Sequence, residues 1–183
     1  MNDVSNRSRI ARALRLDLTI AVRHLFLNAL AGSALVPRPL RWLLYRAARL
    51  DVRTINVFSG ARITGSDLSI GKGTFINHEA YLDAAGGRIV IGEHCHLGPQ
   101  VTILTASHEL DTRGGASKDS FFTTTTIGDK VWLGARALVL PGAVVESGCV
   151  IAAGAVVTGR CEPGGVYAGV PARRIRDVSA DGS

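Results

Sequence analysis

One side chain stands out for the chemistry it could do: His108, in the stretch ILTASHELDTR (residues 103–113). An unperturbed imidazole titrates near about pH 6.5, so at neutral pH it can withdraw a proton from a hydroxyl and pass it on. Asp111 and Arg113 follow it along the chain. His94 and His96, in EHCH, form a second cluster and raise the question of a metal site. No third histidine follows His108 at short spacing, which weakens that reading. The cysteines, Cys95, Cys149 and Cys161, are odd in number and lack the CxxC spacing of metal or redox pairs. They are expected to be small buried thiols in a reducing compartment.

The residues around His108 must be held by a repeat, because His108 sits in a gap in one. Ile127, Leu133, Val139, Val145, Ile151 and Val157 recur every six positions without a miss. Four residues after each comes a small or β-branched residue: Val131, Ala137, Ala143, Cys149, Ala155 and Cys161. The same spacing links Ile70, Ile76 and Leu82, then Ile91, Leu97 and Ile103 after a three-residue shift around AAGG. A period of six matches neither a helix nor a long strand, but it suits a short strand and a tight turn, repeated as the flat faces of a coil. Each aliphatic residue then points into the axis and stacks on its equivalents, so the coils bury together what no single coil could. From Ile103 to Ile127 is 24 residues, a multiple of the period, so a loop over about 105–125 can leave the coil and return in register. Loops extruded from a rigid scaffold commonly carry function.

With 183 residues, 46% of them hydrophobic, the chain is expected to form one domain with an N-terminal extension. The charge is unevenly spread. Residues 1–53 hold ten arginines against Asp3, Asp17 and Asp51, a balance of +7, while the remainder carries −1. The body does not interleave basic and aromatic residues as a base-stacking surface would, so nucleic acid is not an expected partner. Apolar spacing from Ile10 through Leu14, Leu18, Val22, Leu25 and Ala29 is helical, Gly32 is a stop, and a second helix starts after Pro37 and Pro39. The expected boundaries are a basic helical extension over 1–54, a coil domain over 55–176 and a flexible tail over 177–183. The extension is expected as a helical pair packed on the first coils with a solvated basic face. A second reading lays its arginines on anionic lipid. No signal peptide opens the sequence, and its most apolar run falls short of the roughly 20 residues a spanning helix needs. The protein is therefore expected in the cytoplasm, with the inner face of the membrane as the alternative that the arginines suit.

The segments VWLGARALVLPGAVVESGCVIAAGAVVTG and YAGVPARRIR resemble the hexapeptide-repeat acyltransferases, above all the sugar O-acetyltransferase branch that includes maltose, galactoside and exopolysaccharide acetyltransferases. The resemblance runs over about residues 55–176. It implies an all-β solenoid, a left-handed parallel β-helix of triangular section with three hexads per coil, an exception to the usual right-handed crossover. It also implies a homotrimer with acetyl-CoA as acyl donor and a sugar or glycan hydroxyl, such as an exopolysaccharide precursor, as acceptor. The leader departs from the maltose and galactoside enzymes and is more similar to that of transferases of polysaccharide assembly.

By the same resemblance His108 matches the family's catalytic base. Asn77, Asp83 and Asp111 fall to the acceptor, though Asn77 and Asp83 read equally as polar residues capping turns. Trp132, Ala135, Ala153 and Thr158 fall to the donor, with a backbone N–H near Ala135 for the oxyanion. Arg173 and Arg176 match basic residues near the nucleotide phosphates, and Arg160 stands near an expected lysine. The galactoside enzymes carry a glutamate near the histidine where this chain has Ser120 beside Asp119, so the group that orients His108 stays open. A glycosylated natural product or an antibiotic is an alternative acceptor. Two readings of another class are a γ-carbonic-anhydrase-like metal enzyme using His94 and His96, and a scaffold without catalysis.

Overall fold

The computed structural model describes residues 2–111 and 114–178, and Arg113 and the tail from residue 179 lie outside them. Short strands follow one another onto three parallel sheets in turn, which makes a prism. The first sheet is built from Asp51–Val52, Leu68–Ile70, Arg88–Ile91, Thr124–Ile127, Val144–Val145 and Arg160–Cys161. The second contains Phe75–Ile76, His96–Leu97, Trp132–Leu133, Val150–Ile151 and Gly165–Ala168, and antiparallel Arg173–Asp177 closes it. The third contains Arg62–Gly65, Tyr81–Ala84, Thr102–Leu104, Leu138–Val139 and Val156–Val157. The expected solenoid is thus present, and it is a left-handed parallel β-helix.

Stacking follows the six-residue pattern. Leu133 pairs with Ile151, Ile127 with Val145 and Val139 with Val157, each 18 residues on, so one coil is three hexads. All six hexad residues from Ile127 to Val157 are at most 1% exposed, as are Ile70, Ile76, Leu82, Ile91, Leu97 and Ile103. They form one continuous apolar column, which stabilises coils too small to fold singly. The strand at Asp51–Val52 already pairs with Ser69–Ile70, so the coil begins ahead of residue 55.

The extension has α1 (Asn2–His24), a π-helical turn over Leu25–Leu30 and α2 (Arg38–Ala47). Among the described residues, the end of α1 and the segment after it meet the coil. Arg23 donates to the Gly65 carbonyl, Asn28 exchanges hydrogen bonds with the Ile63 backbone, and Leu27 and Ala31 are fully buried. Arg41 departs from the expected solvated basic face. It is buried on α2 and donates to the carbonyls of Ala31, Ser33, Val36 and Val57, which ties both helices to the first coil. Buried charge is tolerated there because the guanidinium's donors find acceptors in fixed positions. The outer part of α1 corrects the packed-pair expectation in the other direction: Leu14, Leu18, Val22 and Leu25 are each more than half exposed, so this stripe is largely uncovered among the described residues.

Candidate functional site

The interruption around His108 is a β-hairpin, where the sequence suggested a loop. Strands Ala106–Leu110 and Ala116–Phe122 pair antiparallel and project from the corner between the third and first sheets. The root is held by threonines. The Thr105 carbonyl accepts from the Thr123 amide at 2.9 Å and from Thr123 Oγ1 at 3.2 Å, while Thr125 Oγ1 donates to the Leu104 carbonyl at 2.7 Å. Across the hairpin Ile103 and Val139 pair 36 residues apart, twice the ordinary rise, so the insertion keeps the coil in register.

His108 is exposed and stands directly opposite Ser120, whose Oγ lies 3.3 Å from Nδ1. When Nδ1–H donates to that oxygen, Nε2 keeps its lone pair facing outward, the arrangement a general base needs. Ser120 thus stands within hydrogen-bonding reach of this histidine, where the sequence left the neighbouring group open. Alternation along the strands puts His108, Ser120 and Phe122 on one face of the hairpin. Phe122 lies on Gly86, where an added Cβ would stand 2.5 Å from the ring. The three-residue shift at AAGG thus makes room for the foot of the hairpin.

The other expected acceptor residues spread around this corner and the next. Asp83 is half-buried below the hairpin root: its carboxylate accepts from Thr64 Oγ1 and from the Ala85 amide, and its carbonyl accepts from Thr105 Oγ1. Asp111 closes the hairpin tip, its amide donating to Gly115 and its carbonyl accepting from Gly114. Asn77 lies elsewhere, at the corner between the second and third sheets, where its Oδ1 accepts from the His78 amide.

That second corner carries two of the donor candidates, Ala135 and Ala153. A groove of about 620 Å³ runs along it, lined by Pro99, Gln100, Ala135, Arg136, Ala153 and Gly154, which are the same corner in three stacked coils. The Ala135 amide donates to no acceptor among the described residues. Gly98 stacks beneath it, and a Cβ there would stand 2.7 Å from the Ala135 nitrogen. Arg173 starts the closing strand opposite Ala168, at the end of this corner, and Arg176 lies further along the strand opposite Val166. Trp132 is 56% exposed on the neighbouring face, in register between His96 and Val150. Thr158 and Arg160 belong to the hairpin's corner and the first sheet, where Arg160 pairs with Glu146 at 2.5 Å and Glu162 at 3.3 Å. Reading the sequence missed the ridge beside the groove. Glu79, Gln100 and Arg136 share a left-handed backbone, and their side chains are linked by hydrogen bonds of 2.6 Å. Their recurrence at the same corner was the available signal.

The remaining chemistry-bearing groups face different surroundings. His94 takes a corner against Gly73, while His96 stacks on Phe75 at 6.1 Å. All three cysteines are buried and unpaired, and burial pushes their thiols up, that of Cys161 to about 11 with help from neighbouring Cys149. They are thus protonated near neutrality and poor nucleophiles.

Residues 124–159 match the family described as bacterial transferase hexapeptide (six repeats). The galactoside O-acetyltransferase of Escherichia coli is 30% identical over 115 residues, 63% of this chain and 56% of that enzyme. The chain spans little more than half the length of the curated relatives it matches. Among solved structures, a maltose O-acetyltransferase from Clostridium difficile 630 superposes with a TM-score of 0.78 at 28% identity, covering 90% of this chain and 89% of that one. A hexapeptide-repeat acetyltransferase from Vibrio cholerae O1 biovar eltor, complexed with acetyl coenzyme A, gives a TM-score of 0.66 at 26% identity and covers 84% of each chain. With its unbroken column of hexads and its three-sided left-handed coil, the chain carries the bacterial transferase hexapeptide repeat and shares the fold of the hexapeptide-repeat acetyltransferases.

Proposed function

We propose that this protein is an acetyl-CoA-dependent O-acetyltransferase that moves an acetyl group onto a sugar or glycan hydroxyl, with His108 as general base. The observation that carries the reading is the exposed imidazole on a hairpin, its Nδ1 set against Ser120 and its Nε2 open. A sugar alcohol is a poor nucleophile until its proton is withdrawn, and Nε2 is suited to withdraw it as the oxygen attacks the thioester carbon. The unused Ala135 amide is a donor for the oxyanion that forms there, and the small Ala153 and Gly154 leave room for a slender pantetheine arm. Arg173, at the end of the same corner, suits a phosphate. The buried thiols make direct transfer a better reading than an acyl-cysteine.

His108 and the Ala135 groove occupy different corners of the prism, separated by the third sheet. One subunit alone does not juxtapose base and donor, so we infer a homotrimer in which the hairpin of one copy meets the groove of the next. A screen of galactosides, maltose and glycan precursors with acetyl-CoA, read by thiol release and the mass of the product, tests the activity. Acetylation of at least one hydroxyl is expected, and acetyl-CoA binding without transfer to any of them would count against this acceptor class.

The largely uncovered stripe of α1 and the arginines near it support a second, separable role, contact with an anionic bilayer surface. No helix among the described residues is long and apolar enough to cross a membrane. Leu14→Ser with Leu18→Ser is expected to cut sedimentation with phosphatidylserine vesicles by at least about tenfold. Equal sedimentation of both proteins would remove the membrane role.

A further inference from the structure

Beside the hairpin's corner lies a second cavity, of about 340 Å³, which neither the base nor the donor groove uses. Its walls come from both parts of the chain: Ile20, Arg23, His24 and Asn28 from the helical extension, and Ile63, Thr64, Gly65 and Ala85 from the coil. Three of the four polar side chains of this wall, all but His24, are already engaged. Both Arg23 Nε and an Arg23 terminal nitrogen donate to the Gly65 carbonyl, at 3.0 and 2.7 Å. Asn28 is held by the Ile63 backbone and the Thr64 hydroxyl by Asp83. What is left to line the space is the His24 ring and the arginine stem with Ile20, Ile63 and Ala85, a mainly apolar surface.

The cavity is close to His108. Ala85 donates to the Asp83 carboxylate, and the next residue, Gly86, carries the ring of Phe122. Phe122 shares its hairpin face with His108 and is itself more than half exposed. The coil bearing Ala85 lies directly below the hairpin root, since Asp83 pairs with Leu104, and one strand spacing is about 4.8 Å. An apolar path therefore runs from the cavity over Ala85 and Phe122 to the imidazole.

We propose that this cavity is a subsite for an aliphatic chain carried by the acceptor, so that the substrate is an amphiphilic glycoside and not a free sugar. The inference rests on the O-acetyltransferase reading for the identity of the polar end, and on the cavity alone for the apolar end. A volume of 340 Å³ is at the lower end of the range of about 300–1,000 Å³ for small-molecule sites, which fits a short chain or the first carbons of a longer one.

The test measures binding of n-alkyl β-galactosides with methyl to octyl chains, each below its micelle concentration, to the full chain. Affinity is expected to rise about threefold to fourfold per methylene until the cavity is filled. Ile20→Asp puts a charge in the wall from an exposed position of α1, and Ala85→Phe fills the space from the coil. Both are expected to flatten the dependence on chain length while leaving the methyl galactoside unchanged. A flat series in the wild-type protein, or an unchanged slope in both variants with unchanged melting temperature, would overturn the subsite. Acetyl transfer measured on the same series separates the two ideas. Transfer without a chain-length dependence keeps the acetyltransferase reading and removes the subsite, whereas chain-dependent binding without transfer to any member keeps the subsite and counts against the galactoside acceptor.

Discussion

His108→Ala is expected to lower kcat by about 100-fold to 10,000-fold, the range over which a positioned acid–base group acts. The melting temperature should stay within a degree or two of wild type, because His108 is exposed on a hairpin whose root is fixed by Thr105, Thr123 and Thr125 and not by the imidazole. Acetyl-CoA affinity should also be preserved, since the proposed donor groove belongs to another corner. Stopped-flow turnover on a proven acceptor, calorimetry and a donor titration together separate the readings. A scaffold would have no turnover to lose, and a structural histidine would lose melting temperature with activity. Wild-type turnover in this variant would remove His108 as the base. The serine opposite adds a finer readout: Ser120→Ala should cost less than His108→Ala, because it loosens the imidazole without removing it.

The second large effect is a gain. Ala135→Phe closes the groove in which the donor is placed, so both this variant and His108→Ala are expected to fall below about 1% of wild-type turnover as homotrimers. Co-assembled in equal amounts, they should recover about one quarter of it. A shared site needs an intact hairpin from one copy and an intact groove from its neighbour, and under random mixing each is present half of the time. The arithmetic is specific to sites built between copies. If each subunit held a complete site, every site in the mixture would carry one lesion or the other, and turnover would stay at the level of the parents. That result would overturn the shared site, and sedimentation as a monomer with full activity would do the same.

Much of the coil was legible because its code is local and repetitive. Each hexad needs one aliphatic residue inward and small residues at its corners, and the buried positions from Ile127 to Val157 obey that rule one by one. The insertion was legible for the same reason: a gap of 24 residues preserves the phase, so His108 had to leave the coil and return. The helices of the extension were also visible in their apolar spacing, although not what they touch. Leu14, Leu18, Val22 and Leu25 have the spacing of a buried stripe and yet face outward, because periodicity records which side of a helix is apolar and not whether anything covers it.

By itself the sequence determined the six-residue period, the burial that the period demands, the place of the insertion and the resemblance to a family with such coils. Tertiary structure decided the pairing of His108 with Ser120, the burial of Arg41 among four carbonyls, the cavity between α1 and the coil, and the separation of hairpin and groove onto different corners. The physical reason is one of range. A repeat is written in neighbours six residues apart, whereas each of these contacts depends on where distant segments come to rest, and single residues such as Ser120 or Arg41 carry no periodic mark of the partner they will meet.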